Sequence, residues 1–435
     1  MRPGNGRRPK GPGRGPTRLL WSLLLFGLGF AAPAGAVTIT ISCGAVGAEL
    51  ALCREGAEAW AEQSGHQVQV VSTPNSSSER LALYQQLLAA QASDIDVFQI
   101  DVIWPGVLAN HLQDLKPYLG DVAAQHFPAM IANDTVAGRL VAMPWFASVG
   151  VLYYRRDLLD QYGEAVPETW EQLTTTAARV QAAGRAAGDP GLWGYVWQGR
   201  AYEGLTCNAL EWVAGEGGGT LVASDGTVTI DNPAAAMAIG RAARWVDHIS
   251  PPGVLNYAEE EARGVFQSGH AVFMRNWPYA WALAQGPDSP IRGKVGVAPL
   301  PGGSRGGSVS TLGGWQLAVS RYSRHPEVAA DLVRYLTSAA EQKRRAIRGS
   351  FNPTLPALYE DAEILAAAPF FADLVGILRS AVARPSAVTG SKYNQVSHAF
   401  WSAVHRVLSG RQPAEASLRA LQARLDRLSR GGRHW

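Results

Sequence analysis

The order of the first apolar segments constrains the fold of this chain most strongly. Apolar runs alternate there with segments of helical periodicity, in the order 37–42 (apolar), 48–63 (helical), 68–72 (apolar), 76–91 (helical) and 95–101 (apolar). This alternation is typical of a right-handed parallel sheet. Because ligands of such sheets bind outside the carboxyl ends of the strands, the residues that follow each apolar run are the first candidates for a functional site.

Charged residues stand at all three of these strand ends. Glu49 follows the first run, Arg80 follows the second, and Asp101 ends the third. Carboxylates accept hydrogen bonds from hydroxyl groups and a guanidinium donates them in a planar fork, so a cluster of these groups can bind a polar ligand or catalyse a reaction. The structural alternatives are a solvated Glu49–Arg80 ion pair and an Asp101 that only caps the next turn.

Length and charge limit the class of protein. A chain of 435 residues is long enough for two lobes. Residues 1–36 contain six of the 39 Lys and Arg and none of the 36 acidic residues, so the net charge changes from +3 for the whole chain to −3 for residues 37–435. A mildly acidic body argues against nucleic acid as a partner.

The N-terminal residues 1–36 resemble a secretion signal in composition. A basic stretch is followed by an apolar stretch at 19–30 and by small residues that end at Ala36. We expect cleavage near Ala36 and a periplasmic or extracellular location. The alternative is an uncleaved membrane anchor.

The chain has three cysteines. An exported protein can form disulfides, and Cys43 and Cys53 could be bonded if the loop between them folds back. Cys43 could instead accept a lipid, although it follows a strand-like sequence. Cys207 is expected to be a small buried residue. The spacing of Cys and His suggests no metal site, and no cofactor is expected.

Two further patterns describe the rest of the chain. A dense apolar run at 149–154 is typical of a strand that leaves one lobe for another. Amphipathic helices are predicted at 326–338, 362–382, 395–408 and 413–429. Several crossings between two lobes therefore agree with the sequence better than two domains joined in series.

Seven motifs together carry a resemblance to a known family. They are DVFQIDV at 96–102, YYRRDLL at 153–159, WGYVWQG at 193–199, YEGL at 202–205, RNWPYAW at 275–281, VGVAPLP at 295–301 and TLGGW at 311–315. With them the chain resembles the substrate-binding proteins of sugar ABC importers (extracellular solute-binding protein family 1), and most of all the trehalose/maltose-binding and glucosylglycerol-binding proteins.

The resemblance implies an α/β protein with the two-lobed type II periplasmic binding protein fold, a hinge of crossing strands and a ligand in the cleft between the lobes. The expected organisation has three parts, namely a signal peptide at 1–36, an N-terminal lobe of 37–145 plus about 300–345, and a C-terminal lobe of 146–299 plus about 346–435.

The resemblance also implies which residues contact the ligand. It gives polar contacts to Glu49, Arg80, Asp101 and Arg384, aromatic contacts to Trp277 and Trp315, and close backbone approach to Gly313 and Gly314. The chain departs from its relatives at Phe146, where Tyr is common, and at Ser148, where Asp is common. Two polar contacts are thereby shortened or lost, which changes the hydroxyl groups that the pocket can satisfy.

The expected function is capture of a small neutral sugar or glycoside, of the glucosylglycerol, trehalose, sucrose or maltose type, and its delivery to the permease subunits of an ABC importer. The protein is expected to be a monomer and not an enzyme. The alternative from another class is a secreted glycoside hydrolase that uses Glu49 and Asp101 as its two carboxylates, which Arg80 opposes because it favours their ionised form. Another solute, such as a polyol phosphate or a peptide, is a second alternative. The 14 tryptophans favour a sugar.

Overall fold

The computed structural model describes residues 35–303 and 307–435. The predicted signal peptide lies outside the described residues except for its last two positions. None of the described helices has the length and apolar character that a membrane span requires.

The strands form two principal sheets and a two-stranded ribbon. In chain order they are β1 (Thr38–Cys43), β2 (Gln67–Ser72), β3 (Val97–Asp101), β4 (Thr135–Val136), β5 (Arg139–Leu140), β6 (Met143–Val149), β7 (Val151–Arg155), β8 (Trp193–Val196), β9 (Ala271–Asn276), β10 (Val295–Ala298) and β11 (Leu312–Val319). The first sheet has the order β2-β1-β3-β11-β6, and the second has the order β10-β7-β9-β8. Strands β4 and β5 form the ribbon.

The first sheet confirms the predicted alternation of strand and helix. Strand β1 pairs in parallel with both β2 and β3. Strand β11 joins this sheet from the distant C-terminal half of the chain and runs antiparallel to β3 and to β6. The second sheet is mixed, since β7 is antiparallel to its neighbours whereas β8 is parallel to β9.

The helices cover the sheets. The helices of the N-terminal half are α1 (Glu49–Ser64), α2 (Ser77–Ala89), α3 (Pro105–Leu108), α4 (Lys116–Ala123), α5 (Pro128–Asn133), α6 (Arg156–Tyr162), α7 (Trp170–Ala186) and α8 (Glu203–Gly215). Those of the C-terminal half are α9 (Pro233–Trp245), α10 (Glu259–Gln267), α11 (Ala280–Ala284), α12 (Pro326–Leu336), α13 (Ala339–Gly349), α14 (Ala362–Ala367), α15 (Phe371–Ser380), α16 (Ser386–Thr389), α17 (Tyr393–Leu408) and α18 (Ala414–Ser429).

Local sequence explains several helix ends. The hydroxyl of Ser76 accepts a hydrogen bond from the backbone N–H of Glu79 and begins α2. Thr169 and Gln172 form a capping box at the start of α7. The single helix predicted at 362–382 is wrong, because Pro369 keeps Ala368 out of the helical conformation and separates α14 from α15.

The chain crosses from one sheet to the other at Gly150. Strand β6 lies in the first sheet and β7 lies in the second, and Gly150 alone separates them. A Cβ atom at Gly150 would overlap the carboxylate of Glu211, which forms a fully buried ion pair with Arg275. The same carboxylate accepts a hydrogen bond of 3.1 Å from the backbone N–H of Thr311, on the segment that leads into β11. One buried ion pair thus contacts two crossing segments.

Apolar side chains pack into a cluster around each sheet. Ile41 and Leu317 of the first sheet share a cluster with Phe351 and Phe371, which lie beyond α13. In the second cluster, Phe400 of α17 packs with residues of β8 and β9. The C-terminal part of the chain therefore contributes to both clusters, and the lobe boundary near residue 346 stays a prediction.

A disulfide joins Cys43, at the end of β1, to Cys53 of α1. It spans the turn that leads to Glu49 and ties the helix to the strand end. Cys207 is buried and unbonded, and burial raises the pKa of its thiol to about 12.

Candidate functional site

A cavity that is partly open to solvent lies where residues of the two sheets face each other, and its empty space, including the part that opens to solvent, is about 720 Å³. Nine of the ten residues that the sequence analysis selects line it, namely Glu49, Asp101, Phe146, Ser148, Trp277, Gly313, Gly314, Trp315 and Arg384. Four of the groups that line it are carboxylates, and one is a guanidinium. The cavity therefore combines aromatic faces with strong hydrogen-bonding groups.

Arg80 is the exception. Its side chain is fully buried and lies behind the wall of the cavity, with Cζ 4.2 Å from the centre of the Trp315 ring. Its Nε and Nη2 both donate to the carbonyl of Pro74, at 3.1 and 3.0 Å. This guanidinium supports Trp315 and the loop before α2, and its contact with a ligand stays a prediction.

Both tryptophans of the cavity are half-buried and backed by an arginine. Arg80 lies against Trp315, and the Cζ atom of Arg275 is 3.9 Å from the centre of the Trp277 ring. The ring of Trp104 meets Trp315 edge-on at 5.6 Å. Cation–π and edge-to-face contacts of this kind fix the orientation of the two indole rings.

The two predicted glycines lie in β11, where side chains would not fit. A Cβ atom at Gly313 would be 3.2 Å from the ring of Trp277. Gly314 has a φ of +137°, and a Cβ atom there would be 2.7 Å from the carbonyl oxygen of Phe146. Glycine therefore allows Trp277, which follows β9 of the second sheet, to approach the backbone of the first sheet.

Arg384 joins the two sides of the cavity. Its Nη2 is 2.7 Å from Oδ1 of Asp101, at the end of β3, and its Nη1 is 2.9 Å from Oε1 of Glu203, at the start of α8. Glu203 also accepts hydrogen bonds from Ser397, at 2.6 Å, and from Tyr393. Burial raises the pKa of Glu203, and the neighbouring Arg384 opposes this rise. One guanidinium thus bridges a carboxylate at the end of β3 in the first sheet and a carboxylate at the start of α8.

Glu49 is buried at the start of α1. Its carboxylate accepts hydrogen bonds from the side-chain amide of Gln99, which lies in β3, and from the backbone N–H of Val46 at 3.3 Å. These donors hold it as an acceptor that faces the cavity.

Polar residues that were not predicted from the sequence also line the cavity, among them Glu203, Glu259 and Asn352. Glu259 accepts hydrogen bonds from the hydroxyl of Tyr202, at 2.7 Å, and from Nε1 of Trp277, at 3.4 Å, and burial raises its pKa. Glu203 lies in the YEGL motif, so its motif was the available signal. Nothing in the sequence near Glu259 or Asn352 distinguishes them from surface residues.

Phe146 and Ser148 lie on β6 at the floor of the cavity. The ring of Phe146 meets Phe351 edge-to-face at 4.7 Å. Behind these rings lies the buried guanidinium of Arg345, whose Cζ is 3.7 Å from the centre of the Trp145 ring. Burial lowers the pKa of Arg345 to about 9. This part of the floor is therefore aromatic.

Two sheets joined by crossing strands, with a cavity at their facing edges, define a two-lobed binding protein of type II, which confirms the predicted fold class. Residues 48–343 match the bacterial extracellular solute-binding protein family, and the chain belongs to this family.

Similar proteins agree with this membership. The probable ABC transporter-binding protein of Deinococcus radiodurans is 52% identical over 408 residues, which cover 93% of this chain and 96% of that protein. The structure of maltose-bound MalE3 of Thermotoga maritima is 40% identical with a TM-score of 0.86, and the match covers 90% of this chain and 100% of that chain. The GacH receptor of Streptomyces glaucescens, solved unliganded and with acarbose, is 25% identical with a TM-score of 0.79 over 90% and 98% of the two chains.

Proposed function

We propose that this protein is the exported solute-binding component of a sugar ABC importer, and that it captures a small neutral α-glucoside of the maltose type and releases it unchanged to the permease subunits. The observation that carries the proposal is the cavity itself, where Trp277 and Trp315 come from different sheets and the remaining wall is rich in hydrogen-bonding groups. The 40% identity to maltose-bound MalE3 supports the choice of ligand within the glycoside class.

The chemistry of the cavity suits a sugar ring. A pyranose has apolar C–H faces and a rim of hydroxyl groups, and indole rings offer broad, rigid surfaces for such faces. Glu49 and Asp101 offer acceptors to hydroxyl groups, while Arg384 offers donors. Because the lobes exclude water when they close, each of these contacts is stronger in the closed cavity than in bulk solvent.

Binding is proposed to act through hinge closure. Trp315 and Asp101 lie on the first sheet, whereas Trp277 follows β9 of the second sheet. A ligand that contacts both groups stabilises the state in which the lobes meet. The permease then receives a closed, loaded protein, and opening releases the sugar without any covalent step.

No observation favours the glycoside hydrolase. Asp101 is the anionic partner of Arg384, and Glu49 accepts hydrogen bonds from Gln99 and Val46, so both carboxylates are arranged as acceptors. A hydrolase needs one of its two carboxyl groups to donate a proton to the leaving group.

Isothermal titration calorimetry of the protein without residues 1–36 tests the proposal. The panel contains maltose, trehalose, sucrose and glucosylglycerol, with mannitol as an alcohol that has no glycosidic bond. We expect saturable heat with maltose and weaker or no binding of mannitol. If none of the four glycosides binds at millimolar concentration, the proposed function is wrong.

A further inference from the structure

The side chain of Asn352 has an unusual position at the floor of the cavity. The residue is fully buried and lines the cavity, yet neither Nδ2 nor Oδ1 of its amide has a hydrogen-bonding partner within residues 35–303 and 307–435. Buried polar groups in folded proteins are almost always paired. An unpaired amide on a residue that lines a ligand cavity is therefore a candidate for pairing with the ligand.

The backbone holds Asn352 firmly in this place. Ser350 has a φ of 53°, which ends α13 and turns the chain towards the cavity. The backbone N–H of Ala147, on β6, donates to the carbonyl oxygen of Asn352 at 2.9 Å. The main chain of Asn352 thus contributes to the structure through this bond, whereas its side-chain amide does not.

No protein group among the described residues pairs with the amide of Asn352, and the nearby guanidinium of Arg345 is likewise without a hydrogen-bonding partner there. The rings of Phe146 and Phe351 line the same floor, and the guanidinium of Arg345 lies behind them, 5.1 and 4.7 Å from the two ring centres. The carboxylates on the other walls already have partners, since Glu259 bonds to Tyr202. In an apolar setting, an amide that stays unpaired is costly, so its pairing with a ligand discriminates strongly between ligands.

We propose that Asn352 is a ligand contact that determines specificity, and that its amide binds two adjacent hydroxyl groups of one sugar ring. A carboxamide presents a donor and an acceptor side by side. Two neighbouring hydroxyls match it, because one donates to Oδ1 while the other accepts from Nδ2. This inference rests on the proposed function and adds to it the feature of the sugar that this part of the cavity recognises.

The test compares the wild type with Asn352→Leu, which keeps the approximate size of the side chain and removes both hydrogen-bonding atoms. Asn110→Leu, at an exposed position, is the matched control. Each protein is titrated with maltose and with its monodeoxy analogues, and its melting temperature is measured without sugar. We expect Asn352→Leu to bind maltose about 10- to 100-fold more weakly, the magnitude of two lost hydrogen bonds, with an unchanged or higher melting temperature.

The deoxy analogues identify the hydroxyl pair. For the wild type, an analogue that lacks a contacted hydroxyl should have a lower affinity than maltose. For Asn352→Leu, the same analogue and maltose should have equal affinities. Unchanged maltose affinity in Asn352→Leu overturns the inference and leaves the proposed function standing. The inference is also overturned if the melting temperature of Asn352→Leu falls while that of Asn110→Leu equals the wild-type value. A wild type that binds no glycoside overturns the proposed function, and the assignment of Asn352 to a sugar falls with it.

Discussion

Replacing Arg384 by glutamine removes the positive charge between the two lobes. The guanidinium is almost fully buried and contacts Asp101 at 2.7 Å and Glu203 at 2.9 Å. In Arg384→Gln these two carboxylates would lie close together without a counter-charge. If the two carboxylates belong to different lobes, as the predicted lobe boundaries place them, solvent reaches them when the lobes separate. The penalty then falls mainly on the closed state.

The magnitude follows from the burial of the pair. Removal of one partner of a buried ion pair costs about 3–5 kcal/mol. If about 3 kcal/mol of this acts on closure, sugar affinity falls about 100-fold. Arg384→Lys keeps the charge but not the two-pronged geometry, so it should lie between the wild type and Arg384→Gln. Arg334→Gln, which removes a solvent-exposed ion pair with Asp121, should bind as the wild type does.

The pH dependence gives a second signature. Burial already raises the pKa of Glu203, and Arg384 is the main influence that lowers it. Without Arg384 this pKa rises further in the closed state. The carboxylate of Glu203 therefore binds a proton more tightly in the closed state of the variant than in its open state. Affinity of Arg384→Gln should therefore recover as the pH falls and decline as the pH rises through the raised pKa of Glu203.

Calorimetric titration with maltose at pH values from neutral to about pH 5 measures both effects, within the range where a raised carboxyl pKa acts. Wild-type affinity in Arg384→Gln would refute the bridging role. A loss of affinity that is the same at every pH would refute the part assigned to Glu203.

Three further predictions concern binding and stability. Trp277→Ala should weaken maltose binding at least tenfold in titration, and because the ring is half-buried it should lower the free energy of unfolding less than the loss of a core tryptophan would. The control is Trp193→Ala, whose ring stacks on an arginine away from the cavity and whose loss should leave binding unchanged. Replacing Cys43 and Cys53 together by serine should lower the free energy of unfolding by about 2–3 kcal/mol in denaturant titration, and a reducing agent should destabilise only the wild type. An unchanged free energy of unfolding would contradict a stabilising disulfide. Burial lowers the pKa of His126 to about 4, below its ordinary value of 6.5, so the free energy of unfolding should decrease by up to about 3 kcal/mol as the pH falls from 6.5 to 4. Urea titrations of His126→Gln should lack this pH dependence.

The sequence was sufficient for the three parallel strands of the first sheet because the information for them is local. Apolar runs and helical periodicity between residues 37 and 101 predict β1 to β3 with ends within two residues of those observed. The position of β11 in the same sheet depends on tertiary pairing with β3 and β6. The family motifs supplied what periodicity could not, including the glycines of β11 that approach Trp277.

The parts of the site that escaped prediction depend on which side of an element faces the cavity. Arg80 follows β2 as expected, but its helix turns the guanidinium behind Trp315. Asn352 lies at the wall of the cavity because Ser350 adopts a left-handed conformation after α13 and because Ala147 of β6 pairs with Asn352. Neither the unpaired amide nor its burial has a local sequence signal.

Small-angle X-ray scattering of the processed protein, recorded while maltose is added, tests most directly whether the two lobes close on a sugar. We predict that the radius of gyration decreases and saturates with the sugar, and that the saturated profile matches a structure in which Arg384 contacts both Asp101 and Glu203. A profile that stays constant at concentrations of maltose and the other glycosides up to the millimolar range would contradict closure on a carbohydrate.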